Sequence, residues 1–138
     1  MKKLLLLLAM TLIAVLLCPK QGAAQLTTPA KKAARVQITE GPELESAQDT
    51  SAIIRWTSNN PGGSDEHFGI VHYGTDPKDL SLTAKSHIRL NQKHSYTVFR
   101  VRVVGLQPHT KYHYTVDSAG ANGTSDGVTS PVKSFITH

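Results

Sequence analysis

The run Leu106-Gln-Pro-His-Thr-Lys-Tyr112 constrains this chain more than any other stretch. It follows an alternating segment ending in Val101, Val103 and Val104, and reads as a strand, a turn set by Pro108 and a new strand opened by a tyrosine. Proline holds φ near −65° and donates no backbone hydrogen bond, so the incoming strand has to stop there. A tyrosine just beyond such a turn, at the start of a late strand, marks a β-sandwich corner, where its hydroxyl bonds back to backbone a few residues upstream. Trp56, at the end of an earlier apolar alternation, supplies the second anchor of the core.

The rest of the chain agrees with an all-β fold. From Val36 onward, short runs rich in Val, Ile, Tyr, Phe and Thr alternate with clusters of Gly, Pro, Asn, Asp and Ser, and no segment carries a useful helical period. The runs predict strands over Val36–Thr39 (ended by Gly41-Pro42, with a continuation through Leu44 open), Ala52–Thr57, Phe68–Tyr73, Leu80–Ser86 as an edge, Tyr96–Val104, Lys111–Asp117 and Val132–Thr137. Seven strands in about 100 residues is the count of an immunoglobulin-like sandwich. Because strand side chains alternate between faces, Ala52, Ile54, Trp56, Phe99, Val101, Val103, Tyr112, Tyr114 and Val116 are expected inside, and Ile53, Arg55, Thr57, Val98, Arg100 and Arg102 outside. The third strand is apolar on both faces, and its register is not readable from pattern.

The N-terminus has the layout of a secretory signal: Lys2 and Lys3, an apolar run of 14 residues from Leu4 to Leu17, then the small cluster Gly22-Ala23-Ala24 with cleavage expected after Ala24. The run is short for a membrane-spanning helix, which needs about 20 residues. The expected organisation is a signal peptide over 1–24, a flexible linker over 25–35 and one domain over 36–138, in a secreted or periplasmic protein whose membrane contact is confined to the signal before cleavage. Cys18 is the one cysteine and lies inside the signal, with Leu17 before it in place of the small residue a lipid-anchor site needs. The mature domain is thus expected to hold together by its core alone.

Charge argues against nucleic acid. The net charge is +5, but Lys2, Lys3, Lys20, Lys31, Lys32 and Arg35 all precede Val36, which leaves nine basic residues against ten acidic ones in the domain. A duplex-binding module needs a concentrated basic face.

Ile53-Ile54-Arg55-Trp56-Thr57, Leu106-x-Pro108-x-Thr-x-Tyr112 and the closing Ser134-Phe135-Ile136-Thr137 together resemble a fibronectin type III domain. Val71-His72-Tyr73-Gly74-Thr75 with Leu80 and Ala84, and the ending Phe135-x-Thr137, are similar more narrowly to the N-terminal domain of purple acid phosphatases. The resemblance covers residues 36–138. It implies a seven-stranded fibronectin type III-like sandwich acting as a scaffold or accessory module, with Trp56, Leu106, Pro108 and Tyr112 structural and the metal ligands of the phosphatase on a separate downstream domain. Asp65-Glu66-His67 matches an Asp-x-His motif literally, but it falls in a Gly- and Asn-rich loop without the companion Gly-Asp or Gly-Asn-His motifs, so no metal role is carried over.

Candidate chemistry is sparse. Seven histidines invite a metal reading, yet zinc would need three or four ligands converging in tetrahedral geometry, with no cysteine in the mature domain to help. The best spatial pairing is His72 with His113, on neighbouring strands and outer faces, set against two solvated surface histidines. Arg55, Arg100 and Arg102 point outward from the second and fifth strands and are the candidate anion or partner site, for a polysaccharide or lipid head group. The plainer reading is that Glu and Asp of the first strand or loops neutralise them, or that their stems cover apolar surface. The glycine-rich stretch Ser118–Gly127 lacks phosphate-loop spacing and reads as a flexible hairpin connection. The run Gly123-Thr124-Ser125-Asp126-Gly127 falls in the stretch read as a hairpin connection, with no helix after it, so no serine or threonine is marked as activated. No catalytic residues and no cofactor are expected. The function expected is a non-catalytic exported module that binds a protein or cell-envelope polymer; the alternative is a detached or truncated N-terminal accessory domain of a metallophosphatase.

Overall fold

The computed structural model describes residues 32–33 and 35–138. The expected signal peptide with Cys18, and most of the linker, lie outside the described residues. Eight strands follow in order: β1 (Ile38–Ala47), β2 (Ser51–Asn59), β3 (Glu66–Gly74), β4 (Leu82–Arg89), β5 (Tyr96–Val104), β6 (Lys111–Gly120), β7 (Ser125–Thr129) and β8 (Lys133–Ile136). One sheet has the order β1-β2-β5; the other runs β4-β3-β6-β7, with β8 also pairing β6, and every pairing is antiparallel. No helix of the described residues is long and apolar enough to cross a membrane.

Two departures from the sequence pattern have local causes. Gly41-Pro42 does not end β1. The ladder passes from Glu40↔Thr57 to Glu43↔Arg55, so Gly41 and Pro42 together stand opposite Trp56 as a bulge. Proline is tolerated there because β1 is an edge strand, and Gly41 adopts a φ of 78° in which a Cβ would sit 3.0 Å from the Arg55 carbonyl oxygen. The other departure is the eighth strand. The stretch read as one connection contains β7, and the chain steps from β7 to β8 at Ser130-Pro131. Pro131 has no N–H to offer, and Ser130 does double duty: its N–H donates to the Val116 carbonyl at 2.9 Å while its hydroxyl accepts the Val116 N–H at 3.0 Å.

The inward set is the one expected. Ala52, Ile54, Trp56, Phe99, Val101, Val103, Tyr112, Tyr114 and Val116 are all buried. Thr57 is a correction: it is buried too, because the bulged first strand lays Glu40 over it and the threonine hydroxyl donates to that carboxylate at 3.1 Å. On β3 the inner face is His67, Gly69, Val71 and Tyr73. Gly69 is there because the stacked rings of Trp56 and Phe99, with centroids 5.1 Å apart and planes 8° apart, occupy the space a side chain would need.

The corner forms as the tyrosine pattern requires. Gln107 donates its N–H to the Tyr112 hydroxyl at 3.0 Å, and Leu106 is buried beside it. Thr137 locks the same turn from the C-terminal end: its hydroxyl donates to the Gln107 carbonyl at 2.6 Å and accepts the Thr110 N–H at 2.9 Å. At the other end of the sandwich Asn60, 2% exposed, ties loops together. Its amide donates to the carbonyls of Asn91 and His94 at 2.7 and 2.6 Å, and the Thr97 hydroxyl donates to its oxygen.

Candidate binding site

The arginines come together as their strands dictate. Arg55 stands directly opposite Arg100, and Arg102 lies opposite Ile53 one step along. Like charges opposed across a ladder repel, and β1 answers with carboxylates. Glu43, opposite Arg55, accepts from its Nη1 at 2.8 Å. Glu45 takes both arms of the Arg100 guanidinium, Nε at 2.8 Å and Nη2 on the other oxygen. That fork holds the Glu45 carboxyl below the usual carboxylate range and raises the Arg100 guanidinium in turn. Arg102 reaches only the Ser51 hydroxyl, at 3.5 Å. The face is therefore a column of alternating charge, with one guanidinium that no carboxylate holds among the described residues.

The outer histidines also meet acids. His72 lies 3.0 Å from Asp117 through its Nε2, while His113 faces Gly74 on the register. His87 contacts Glu66 at 2.6 Å. Among the described residues no group of three or more histidine, cysteine or acidic side chains converges on a point.

A third cluster was not anticipated. His67, at the start of β3, is 1% exposed on the inner face. Its Nε2 lies 3.2 Å from Oδ1 of Asp126 on β7, and Oδ2 of that carboxylate accepts the hydroxyl of Ser118 on β6 at 2.5 Å. The three residue types are those of a nucleophilic triad in the wrong order. A serine becomes a nucleophile when an imidazole takes its proton; here the carboxylate sits between them, so the hydroxyl is turned away from the imidazole. The cluster presents hydrogen-bond acceptors and activates no nucleophile.

Above it opens a cleft of about 330 Å³ between the β2–β3 loop and the β6–β7 hairpin, lined by Gly62, Gly63, Ser64, Asn122 and Thr124 with His67 and Asp126. The N-terminal approach borders it: Lys32 donates to the Gly63 carbonyl at 2.6 Å and pairs with Asp65 at 2.5 Å, and Ala33 donates its N–H to Asn60 at 2.8 Å. Lys32, and after it Gln92, hold the Asp65 carboxyl below its usual range. These contacts join part of the stretch read as linker to the domain.

The family model described as "Purple acid Phosphatase, N-terminal domain" matches residues 26–137. The chain belongs to that family. The match to the purple acid phosphatase N-terminal domain takes in both walls of the cleft and begins upstream of Lys32, which bonds to the rim. Comparison with curated proteins finds no match. Among solved structures, two forms of the sensor domain of the anti-sigma factor RsgI4 of Pseudobacteroides cellulosolvens are similar. The shorter has 21% identity and a TM-score of 0.51, covering 77% of this chain and 97% of that one. The longer has 20% identity and a TM-score of 0.50, covering 74% and 88%. The fibronectin type-III domain of human fibronectin type III domain containing protein 3 is also similar, at 17% identity and a TM-score of 0.46 over 78% of this chain and 91% of that one. At these identities the sensor-domain structures bear on the fold alone. The chain is an all-β, fibronectin type III-like sandwich of two antiparallel sheets, with eight strands where the sequence pattern indicated seven.

Proposed function

We propose that the chain is an exported, non-catalytic binding module that engages a protein or a cell-envelope polymer through the loops at one end of its sandwich. The observation that carries the reading is the serine–carboxylate–imidazole order at Ser118, Asp126 and His67, beneath a cleft walled by polar loops: it offers recognition groups and no activated nucleophile. Membership in an N-terminal domain family supports a module in place of a complete enzyme, and a sensor domain with this fold is a precedent for recognition by such a sandwich. Export rests on the signal-like N-terminus. Pull-down from cell-envelope extract tests the reading: a specific protein or polymer is expected to be retained, and capture of nothing above background refutes it.

The family match favours a second reading, in which the domain is an accessory to a metallophosphatase catalytic domain. An adjacent reading frame carrying Gly-Asp and Gly-Asn-His motifs would support it. Phosphatase assay of the purified protein with added divalent metals is expected to show no turnover, and sustained turnover would overturn the non-catalytic assignment.

A further inference from the structure

The outer face of the three-stranded sheet carries a groove. Glu40 on β1 and Val98 on β5 flank Thr57 across the ladder, and Tyr96 stands opposite Asn59 at the next outward position. These side chains and that of Arg55 line a space of about 480 Å³, within the roughly 300–1,000 Å³ of small-ligand sites. The walls belong to β1 and β5, the two neighbours of β2. Strands in a sheet lie about 4.7–4.9 Å apart, so the walls are roughly 10 Å from each other. An α-helix, about 10–12 Å across with its side chains, is too wide to enter. A single extended side chain fits.

Charge selects which kind of side chain. Three carboxylates and two guanidinium groups stand on this face, and two pairs cancel: Arg55 with Glu43 at 2.8 Å, and Arg100 with Glu45 through both arms. Glu40 is the remainder. It is exposed and makes no ion pair among the described residues. Its Oε2 accepts the Thr57 hydroxyl at 3.1 Å, while its Oε1 takes no hydrogen bond from them. Arg35 approaches through its backbone carbonyl, which accepts from the Asn59 amide, and its side chain is not part of the groove's lining. One negative charge in excess disfavours an anion and favours a cation.

The opposite wall suits the same group. Tyr96 is 47% exposed, with the His94 ring tilted against it at 5.3 Å. The face of a tyrosine ring attracts an ammonium or guanidinium held within about 6 Å. Val98 adds aliphatic surface of the kind that the stems of long basic side chains cover.

We propose that this groove binds a lysine or arginine side chain of a protein partner, its stem along Val98 and Tyr96 and its charged head on Glu40. The assignment rests on the protein-binding form of the function proposed above and specifies a partner that presents a basic side chain at its contact surface.

The test is NMR titration of the ¹⁵N-labelled protein with capped pentapeptides of sequence Gly-Ser-X-Ser-Gly, where X is lysine, arginine, glutamine or glutamate. Exposed ion pairs are weak, so millimolar binding is expected. Saturable shifts centred on residues 39–40, 55–59 and 95–98 should appear with the lysine or arginine peptide and not with the other two. Raising ionic strength from about 0.01 to 0.1 M shortens the Debye length from about 30 to 10 Å and should weaken the binding. Glu40→Gln keeps an acceptor for the Thr57 hydroxyl and should weaken it about threefold. If that variant unfolds, Tyr96→Ala, at an exposed side chain, carries the test with a similar loss. The assignment is overturned by no saturable shift with either basic peptide, by an equal response to the glutamine or glutamate peptide, by shifts elsewhere on the domain, or by variants that bind as wild type does. Retention of an envelope protein by wild type and by the Glu40→Gln, Tyr96→Ala double variant alike would leave the module reading standing and end this one.

Discussion

Replacing Gly69 by alanine probes the packing on which the whole sandwich depends. A methyl at this position would lie 2.9 Å from Cδ1 of Phe99 and 3.0 Å from Cη2 of Trp56, where ordinary carbon contacts are about 3.5–4.0 Å. One or both rings must therefore retreat by roughly 0.5–1 Å, and both are 1% exposed and stacked on each other, in an interior with no spare volume. Overpacking of this kind costs about 1–3 kcal/mol. Against it stands a gain of about 0.5–1 kcal/mol, because alanine loses less backbone freedom than glycine on folding into a strand. The net expectation is a loss of about 1–2 kcal/mol, which for a domain near 100 residues lowers Tm by roughly 4–8 °C per kcal/mol. Urea unfolding followed by Trp56 fluorescence measures the loss, and near-ultraviolet circular dichroism reports the displaced indole. Adding Phe99→Leu to Gly69→Ala should cost less than the two single changes together, since the leucine yields the contested space. A Gly69→Ala protein as stable as wild type, or more so, would show that the indole does not lie over Gly69, and the assignment of β3's inner face would fall with it.

Three other changes test other parts of the fold. Tyr112→Phe removes the hydroxyl that accepts the Gln107 N–H and should lower unfolding free energy by about 0.5–1.5 kcal/mol in a denaturant titration; an unchanged midpoint would mean that the corner does not depend on that bond. Asn60→Ala leaves the carbonyls of Asn91 and His94 and the Thr97 hydroxyl without their partner, and calorimetry should register a loss on the order of 3 kcal/mol, with none expected if the loops are held in some other way. Burial, with a smaller contribution from the Glu43 charge, pushes the Tyr114 phenol up to about 12. An unfolded tyrosine ionises near 10, so the unfolded chain loses its proton first and stability falls as pH rises from about 10 to 12, by on the order of 2 kcal/mol. Tyr114→Phe should flatten that alkaline limb, and a limb of unchanged slope would count against the raised phenol.

How far the residues alone disclose this structure depends on which interactions set each position. The faces of β2, β5 and β6 are legible because one side chain in two is apolar on each, and the two antiparallel neighbours β2 and β5 then bring Arg55 and Arg100 opposite one another without further information. Thr57 escapes because its cover, Glu40, reaches it only through the bulge at Gly41-Pro42. β3 defeats alternation because its inner face holds His67 and Gly69, the latter smaller than any apolar residue for the sake of the Trp56–Phe99 stack. β7 is a five-residue strand with Gly127 in it, and nothing in its composition separates it from a loop. His67, Ser118 and Asp126 are therefore invisible as a group: their meeting depends on the β6–β7 pairing, and the Asp65-Glu66-His67 match that includes one of them points to a different chemistry.

The two ends of the sandwich are held by different interactions. β2 runs from Ser51 to Asn59; at its first end Leu106 donates to the Thr50 carbonyl at 3.0 Å, and at its last Asn60 donates to Ser95 at 2.9 Å. At about 3.3 Å per residue, the corner and the loop end are separated by roughly 25 Å of rigid strand. The corner end is closed by the Tyr112 hydroxyl, the Thr137 hydroxyl and a cluster of Tyr73, Tyr112, Tyr114 and Phe135 rings, so nothing there can move without loss of core. The loop end is held by side-chain amides and hydroxyls, and its acceptors at His67 and Asp126 are only partly used. His67, Ser118 and Asp126 are held on strands, while Ser64, Asn122 and Thr124 stand on the loops above them.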